Sequence, residues 1–166
     1  MPALSGEIAD PGQYLIDTRK RIARTTRTSN SSNATITEVE VLRLDGIKFT
    51  AGRTYQLHTS SLLLVSSVTG DLIGVRFRYS STGTATSSST ELHFGDRRIP
   101  TGGTSESFGV LARSYNPSSD ETGSLLLTVA RSAGTGNCQI LASSAYQVEL
   151  LVDDMGSDPG DTGTSL

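Results

Sequence analysis

Tryptophan is absent, cysteine occurs once, and histidine and methionine occur twice each. The single thiol, Cys138, cannot close an internal disulfide. Secreted domains of this size often carry disulfide staples, so their lack leads us to expect assembly in a reducing cytosol. His58, His93 and Cys138 are the whole stock of soft metal ligands, and they show no metal-site spacing. No cofactor or metal is expected. No apolar run approaches the roughly 20 residues a membrane span needs, so no membrane partner is expected. The start, Met1-Pro-Ala-Leu-Ser-Gly-Glu-Ile8, lacks the basic and apolar regions of a signal peptide. Asn30-Ser-Ser32 and Asn33-Ala-Thr35 match the glycosylation pattern, but without such a signal they carry no meaning. Net charge is −3 with a pI near 5.3, which gives nucleic acid no whole-chain attraction.

Aromatic residues make up 5% and hydrophobic residues 35% of 166 residues, and Ser, Thr and Gly fill the gap. That composition suits strands and turns with polar outer faces, in one domain. Ile73, Val75, Phe77 and Tyr79 alternate with Gly74, Arg76 and Arg78, a period of two that puts apolar groups on one sheet face. Ile47–Ala51 and Thr54–His58 alternate likewise around the turn Ala51-Gly-Arg53. Val39 and Val41 share a face while Leu42 and Leu44 take the other, predicting a bulge or a strand covered on both sides. Ser61-Leu-Leu-Leu-Val65 reads as a strand buried on both faces. Residues 80–90, almost all Ser, Thr, Ala and Gly, read as a long exposed hairpin loop. Glu91–Phe94, Phe108–Leu111, Leu125–Val129, Cys138–Leu141 and Tyr146–Val152 are further strands.

Roughly eight to ten strands at intervals of about a dozen residues, without a helix after residue 30, indicate an all-β fold. The expectation is a single antiparallel β-sandwich, jelly-roll-like, over residues 35–156. Residues 1–34 are expected to form an extended arm and linker, and 157–166 a flexible polar tail. Within the arm, Tyr14-Leu-Ile16 is a short apolar patch, and Arg19, Lys20, Arg21, Arg24 and Arg27 place five of the fourteen basic residues within nine positions. Such a segment is either solvated or docks on an acidic neighbouring subunit, so these residues with Tyr14 are the candidate subunit contacts.

Catalytic signatures are missing. No serine lies in a Gly-x-Ser-x-Gly elbow, and Ser132-Ala-Gly-Thr-Gly136 reads as a turn rather than a phosphate loop. Glu38 and Glu40 could be imagined as a glycosidase pair, yet two residues apart on a strand they read better as a solvated stripe. Asp153, Asp154 and Asp158 could ligate calcium, or could end the last strand with charge. The chain is expected not to be an enzyme.

One combination is familiar. Ala51-Gly-Arg-Thr-Tyr-Gln-Leu57 is followed by Gly70-Asp-Leu-Ile-Gly-Val-Arg-Phe-Arg-Tyr79 and by Ser114-Tyr-Asn-Pro117. Gly123-Ser-Leu-Leu-Leu-Thr-Val-Ala-Arg131 and Val148-Glu-Leu-Leu-Val-Asp-Asp-Met-Gly156 complete it. Over about residues 35–156 this resembles small β-sandwich minor tail proteins of tailed phages that infect actinobacteria. The ending departs from that pattern, with Ser157 where the family has Pro, and the N-terminal arm has no counterpart. The resemblance implies a virion structural protein, assembled in the host cytoplasm with other virion proteins and with itself, a trimer being favoured. Two alternatives stay open: a capsid decoration or head-fibre protein, and a carbohydrate- or receptor-binding module. The last would bind a host-surface glycan through exposed aromatics such as Tyr115 and Phe94.

Overall fold

Ile73, Val75, Phe77 and Tyr79 all point into one core, as their alternation requires. The computed structural model describes residues 19–157. Among them are eleven strands and no helix: β1 (Lys20–Arg27), β2 (Val39–Phe49), β3 (Arg53–Thr59), β4 (Leu62–Ser66), β5 (Leu72–Ser80) and β6 (Thr90–Arg98). β7 (Glu106–Gly109), β8 (Ala112–Tyr115), β9 (Glu121–Ala133), β10 (Cys138–Leu141) and β11 (Val148–Ser157) follow. All pairings between them are antiparallel.

One sheet has the order β2-β9-β5-β6. The other side consists of two pieces, β1-β11-β3-β8 and β10-β4-β7. These pieces are halves of one bent sheet. β3 runs into β4 across Ser60 and Ser61, β7 into β8 across Val110 and Leu111, and β10 and β11 take matching positions beside them. At the bend, hydroxyls replace missing ladder acceptors: the Leu111 N–H donates to Thr59 Oγ1 (3.1 Å) and the Glu149 N–H to Ser60 Oγ (3.0 Å). With the three bent pairs each taken as one, eleven strands become eight, and the sheets read 1-8-3-6 and 2-7-4-5. That order is compatible with a jelly roll, which has eight strands in two sheets. Leu57, Leu64, Ile140 and Leu150 from the bent sheet meet Val75, Phe77, Leu127 and Val129 from the other in one core. The antiparallel β-sandwich expected from alternation is therefore the fold.

Four details differ from or sharpen the sequence reading. Lys20–Arg27, expected within an arm, is the edge strand of the bent sheet, so the described part of that segment belongs to the sandwich. Its signal was weak because Ile22 and Ala23 supply its contact with the core while arginines occupy much of the rest. Charge supports its pairing with β11, where Arg19 and Arg21 meet Asp153 and Arg24 meets Glu149. Second, Leu62–Ser66 buries one face only, leaving Leu63 and Val65 half-exposed. Third, the strand expected over 108–111 breaks at Gly109, whose φ of +83° is a left-handed conformation that glycine tolerates. Fourth, the bulge expected between Val41 and Leu42 is a register shift between Glu40 and Leu42.

Arginine stems cover what the outer faces leave apolar. Leu126 in β9 is buried although its side chain faces away from the core, and its cross-strand neighbours are Arg43 and Arg78. Leu151 in β11 is likewise buried between Arg24 and His58. Long cationic side chains cover such spots while their heads reach partners at the rim.

Candidate interaction surfaces

The basic cluster is tied down inside the chain. Asp153, 2% exposed, receives Arg19 Nη2 at 3.0 Å and Arg21 Nε at 2.9 Å, while His58 Nε2 lies 3.0 Å from its Oδ2. Arg24 pairs with Glu149, and Arg27 donates to the carbonyls of Ser29, Asn30 and Val41. Lys20 is exposed. Tyr14 lies outside the described residues. Burial alone would raise the Asp153 pKa, but the hydrogen bonds from Arg21, His58 and Arg19 outweigh it and bring the group down to about 2.

The acidic pair Asp153 and Asp154 is also spoken for. Arg53 Nε lies 2.8 Å from Asp154 Oδ2, and the Gly156 N–H donates to Asp154 Oδ1. No group of three or more metal-capable side chains occurs among the described residues, and Asp158 lies outside them. Glu38 and Glu40 are each engaged by other side chains of the sheet. Glu38 accepts from Thr128 Oγ1 (2.8 Å) and pairs with Arg76 and Arg78, whereas Glu40 pairs with Arg43. Burial raises the Glu38 pKa, yet bonds from Arg78 and Thr128 outweigh it and leave the carboxyl below its ordinary value. That is the opposite of the shift a glycosidase acid needs. Arg76 also lies over the Phe94 ring, 4.6 Å from its centroid, which fixes that half-exposed aromatic in place.

The Gly-Thr-Gly turn is filled from within. Asp71, 1% exposed, accepts the N–H groups of Thr135 and Gly136, each at 3.0 Å, and the Ser66 hydroxyl. Amides that could cradle an external anion are satisfied by the chain's own carboxylate. The pKa of Asp71 is lowered because the bonds from Ser66, Thr135 and Gly136 prevail over its burial.

One end of the sandwich collects aromatics that lie far apart in sequence. Phe49 sits edge-on to Tyr55 (4.9 Å between centroids) and Tyr115 (5.2 Å), and Tyr79 lies 5.1 Å from Tyr115. The hydroxyls of Tyr79 (2.7 Å) and Tyr115 both donate to Glu121 Oε1. Burial together with the Glu121 hydrogen bond raises both phenol pKa values, that of Tyr115 to about 12. Beside this cluster, Tyr79, Tyr115 and the 80–90 loop border an open cleft. Composition could not reveal it, because the loop carries no chemical signature and the rings meet only through strand pairing.

No family model and no curated protein sequence matches the chain. Among solved structures it is similar to that of the infectious bursal disease virus Gx strain, with TM-score 0.47 and 15% identity over 86% of this chain and 38% of that one. The VP2 subviral particle of infectious bursal disease virus matches with TM-score 0.46 and 12% identity, over 85% and 38% of the two chains. Eiger TNF from S. frugiperda matches with TM-score 0.44 and 10% identity, over 84% and 98%. The chain thus spans 38% of the length of the two viral chains. All three TM-scores are low, and the β-sandwich stands on the chain's own strand pairing.

Proposed function

We propose that this chain is a non-enzymatic structural protein of a tailed-phage virion, a minor tail or tail-tip component that works through the faces and edges of its sandwich. The observation that carries this is where the familiar segments fall. Residues 51–57 lie in β3 and the turn before it, 70–79 lead into and form β5, 123–131 lie in β9, and 148–156 lie in β11. β11 and β3 are the two inner strands of one sheet, and β9 and β5 are the two inner strands of the other. Four of the five segments that resemble the phage proteins therefore form the paired centre of the sandwich, while the fifth, residues 114–117, ends the edge strand β8 and enters the loop after it.

Contact with other virion proteins falls to the edges. β1 and Arg19 just before it place Lys20 and the half-exposed outer parts of Arg19, Arg21 and Arg24 along one rim of the bent sheet. An acidic virion protein, or a second and third copy in a trimer, would meet the chain at that rim, and the contact would weaken with salt.

The test is immunogold electron microscopy of particles from the source culture with antibody against this chain. Gold at the tail or its tip is the expected result. Gold over the head would make it a decoration or head-fibre protein. Particles without label would sink the virion role.

A further inference from the structure

The cleft beside the aromatic end has the chemistry of a small-molecule site. It is open to solvent on one side, spans roughly 440 Å³, and has an uncharged lining. Volumes of that order are common for ligand pockets. Two walls differ in character. One is apolar: the Tyr79 and Tyr115 rings and Leu92. The other is the hydroxyl-bearing rim of residues 80–82 and 88–90, which includes Ser81 and Ser88. Each hydroxyl both donates and accepts, so the wall suits a ligand dense in groups that also do both.

Both walls are held before any ligand arrives. Tyr79 and Tyr115 are anchored at their hydroxyls by Glu121, and Phe49 stands edge-on against the Tyr115 ring. The loop is pinned at its middle, where the N–H of buried Ala85 donates to Ser124 Oγ at 2.9 Å, and Ser124 in turn donates to Asp45 Oδ1. Nearer its end, the Thr86 N–H donates to Ser89 Oγ (2.9 Å) and the Ser89 N–H to the Thr86 carbonyl (3.0 Å). A loop so rich in Ser, Thr and Gly would otherwise lose much entropy on binding, and these bonds meet that cost during folding.

We propose that this cleft binds a neutral saccharide, with a C–H face of the sugar against Tyr115 and Leu92 and its hydroxyls toward the serine and threonine rim. An anionic ligand fits less well, because no cationic side chain lines the cleft. A purely apolar ligand would displace water from rim hydroxyls such as that of Ser81 and offer nothing in its place. The site does not depend on the chain's place in a particle, so either proposal can fail while the other stands.

The test uses the full chain and a panel of free sugars: glucose, galactose, N-acetylglucosamine, maltose and cellobiose, with glucuronate and inorganic phosphate as charged counterparts. Saturation-transfer NMR at about 10 mM ligand detects affinities down to the millimolar range. Ser81→Trp fills the cleft from an exposed position, and Ser144→Trp places the same bulk in the β10–β11 connection. The expected result is binding of at least one neutral sugar, weakened at least about tenfold by S81W and unchanged by S144W. Thermal melts of both variants establish that they are folded. If S81W does not fold, Ser88→Trp from the opposite part of the rim takes its place. No binding by the unaltered chain, equal binding by the filled variant, or binding of the charged ligands alone would each overturn the proposal.

Discussion

The Tyr79 ring lies where a side chain at Gly123 would be: a Cβ built on Gly123 falls 2.5 Å from Tyr79 Cζ and closer still to its hydroxyl. The two are on neighbouring strands, β5 and β9, with Tyr79 opposite Leu125. Tyr79 cannot swing aside freely, because its hydroxyl is bonded to Glu121 and its ring packs against Phe49 and Tyr115. Gly123→Ala should therefore cost about 1–3 kcal/mol, the usual range for overpacking. Urea unfolding should show a lower midpoint with an unchanged slope. A midpoint equal to that of the unaltered chain would mean that this end of the sandwich yields more easily than its packing suggests.

Asp153 ties β1 to the sheet, and its charge sets an acid limit on stability. Its folded pKa is depressed to about 2 by Arg21, His58 and Arg19. A depressed carboxylate contributes stability that is complete above its unfolded value, near 4, and is lost as the pH falls through the folded value. Two pKa units correspond to about 3 kcal/mol. Unfolding free energy should drop over about pH 4 to 2. Asp153→Asn should be less stable at neutral pH and show a shallower decline in that window. Parallel acid titrations of the two proteins, followed by circular dichroism, would reveal the difference; identical slopes would remove Asp153 from the account.

Much of the sandwich could be read from alternation, because strands such as β3 and β5 turn every second side chain into a single core. β1 could not, since its attachment depends on acids more than 120 positions away. The same holds for Asp153, Asp71 and Glu38, which look like surface charge until strand pairing brings their partners beside them. The bend at Ser60 and Ser61 leaves no distinct mark in the sequence, because serine alone does not tell a bent strand from a turn between two strands. The cleft was legible only in part: the 80–90 loop was evident, but the rings that face it come from β5 and β8.

Cys138 gives a readout of global opening. It is fully buried, and burial pushes its thiol pKa up to about 11, beyond the compensating pull of Arg131. At pH 8 the folded chain should react with a thiol reagent only as fast as it opens, since the thiolate is both scarce and inaccessible. Denaturant should expose a single reactive equivalent. Complete labelling within minutes by a chain that remains folded would show that β10 opens locally.

The bend in the split sheet should be asymmetric in its sensitivity. Thr59 is buried, and its Oγ1 accepts the Leu111 N–H in surroundings closed to water. Thr59→Val keeps the shape but leaves that N–H without a partner, at a cost of about 1–3 kcal/mol. Ser60 serves the Glu149 N–H in the same manner, yet lies nearer the surface. Water can replace the hydroxyl in Ser60→Ala, so the loss there should stay within about 0.5 kcal/mol. Chemical denaturation of both variants, with hydrogen exchange at the Leu111 and Glu149 amides, separates the two cases. Protection at Leu111 should fall in T59V, while Glu149 should change little in S60A. The reverse order would mean that the bend is held by its exposed side and that the β7–β8 break is incidental to it.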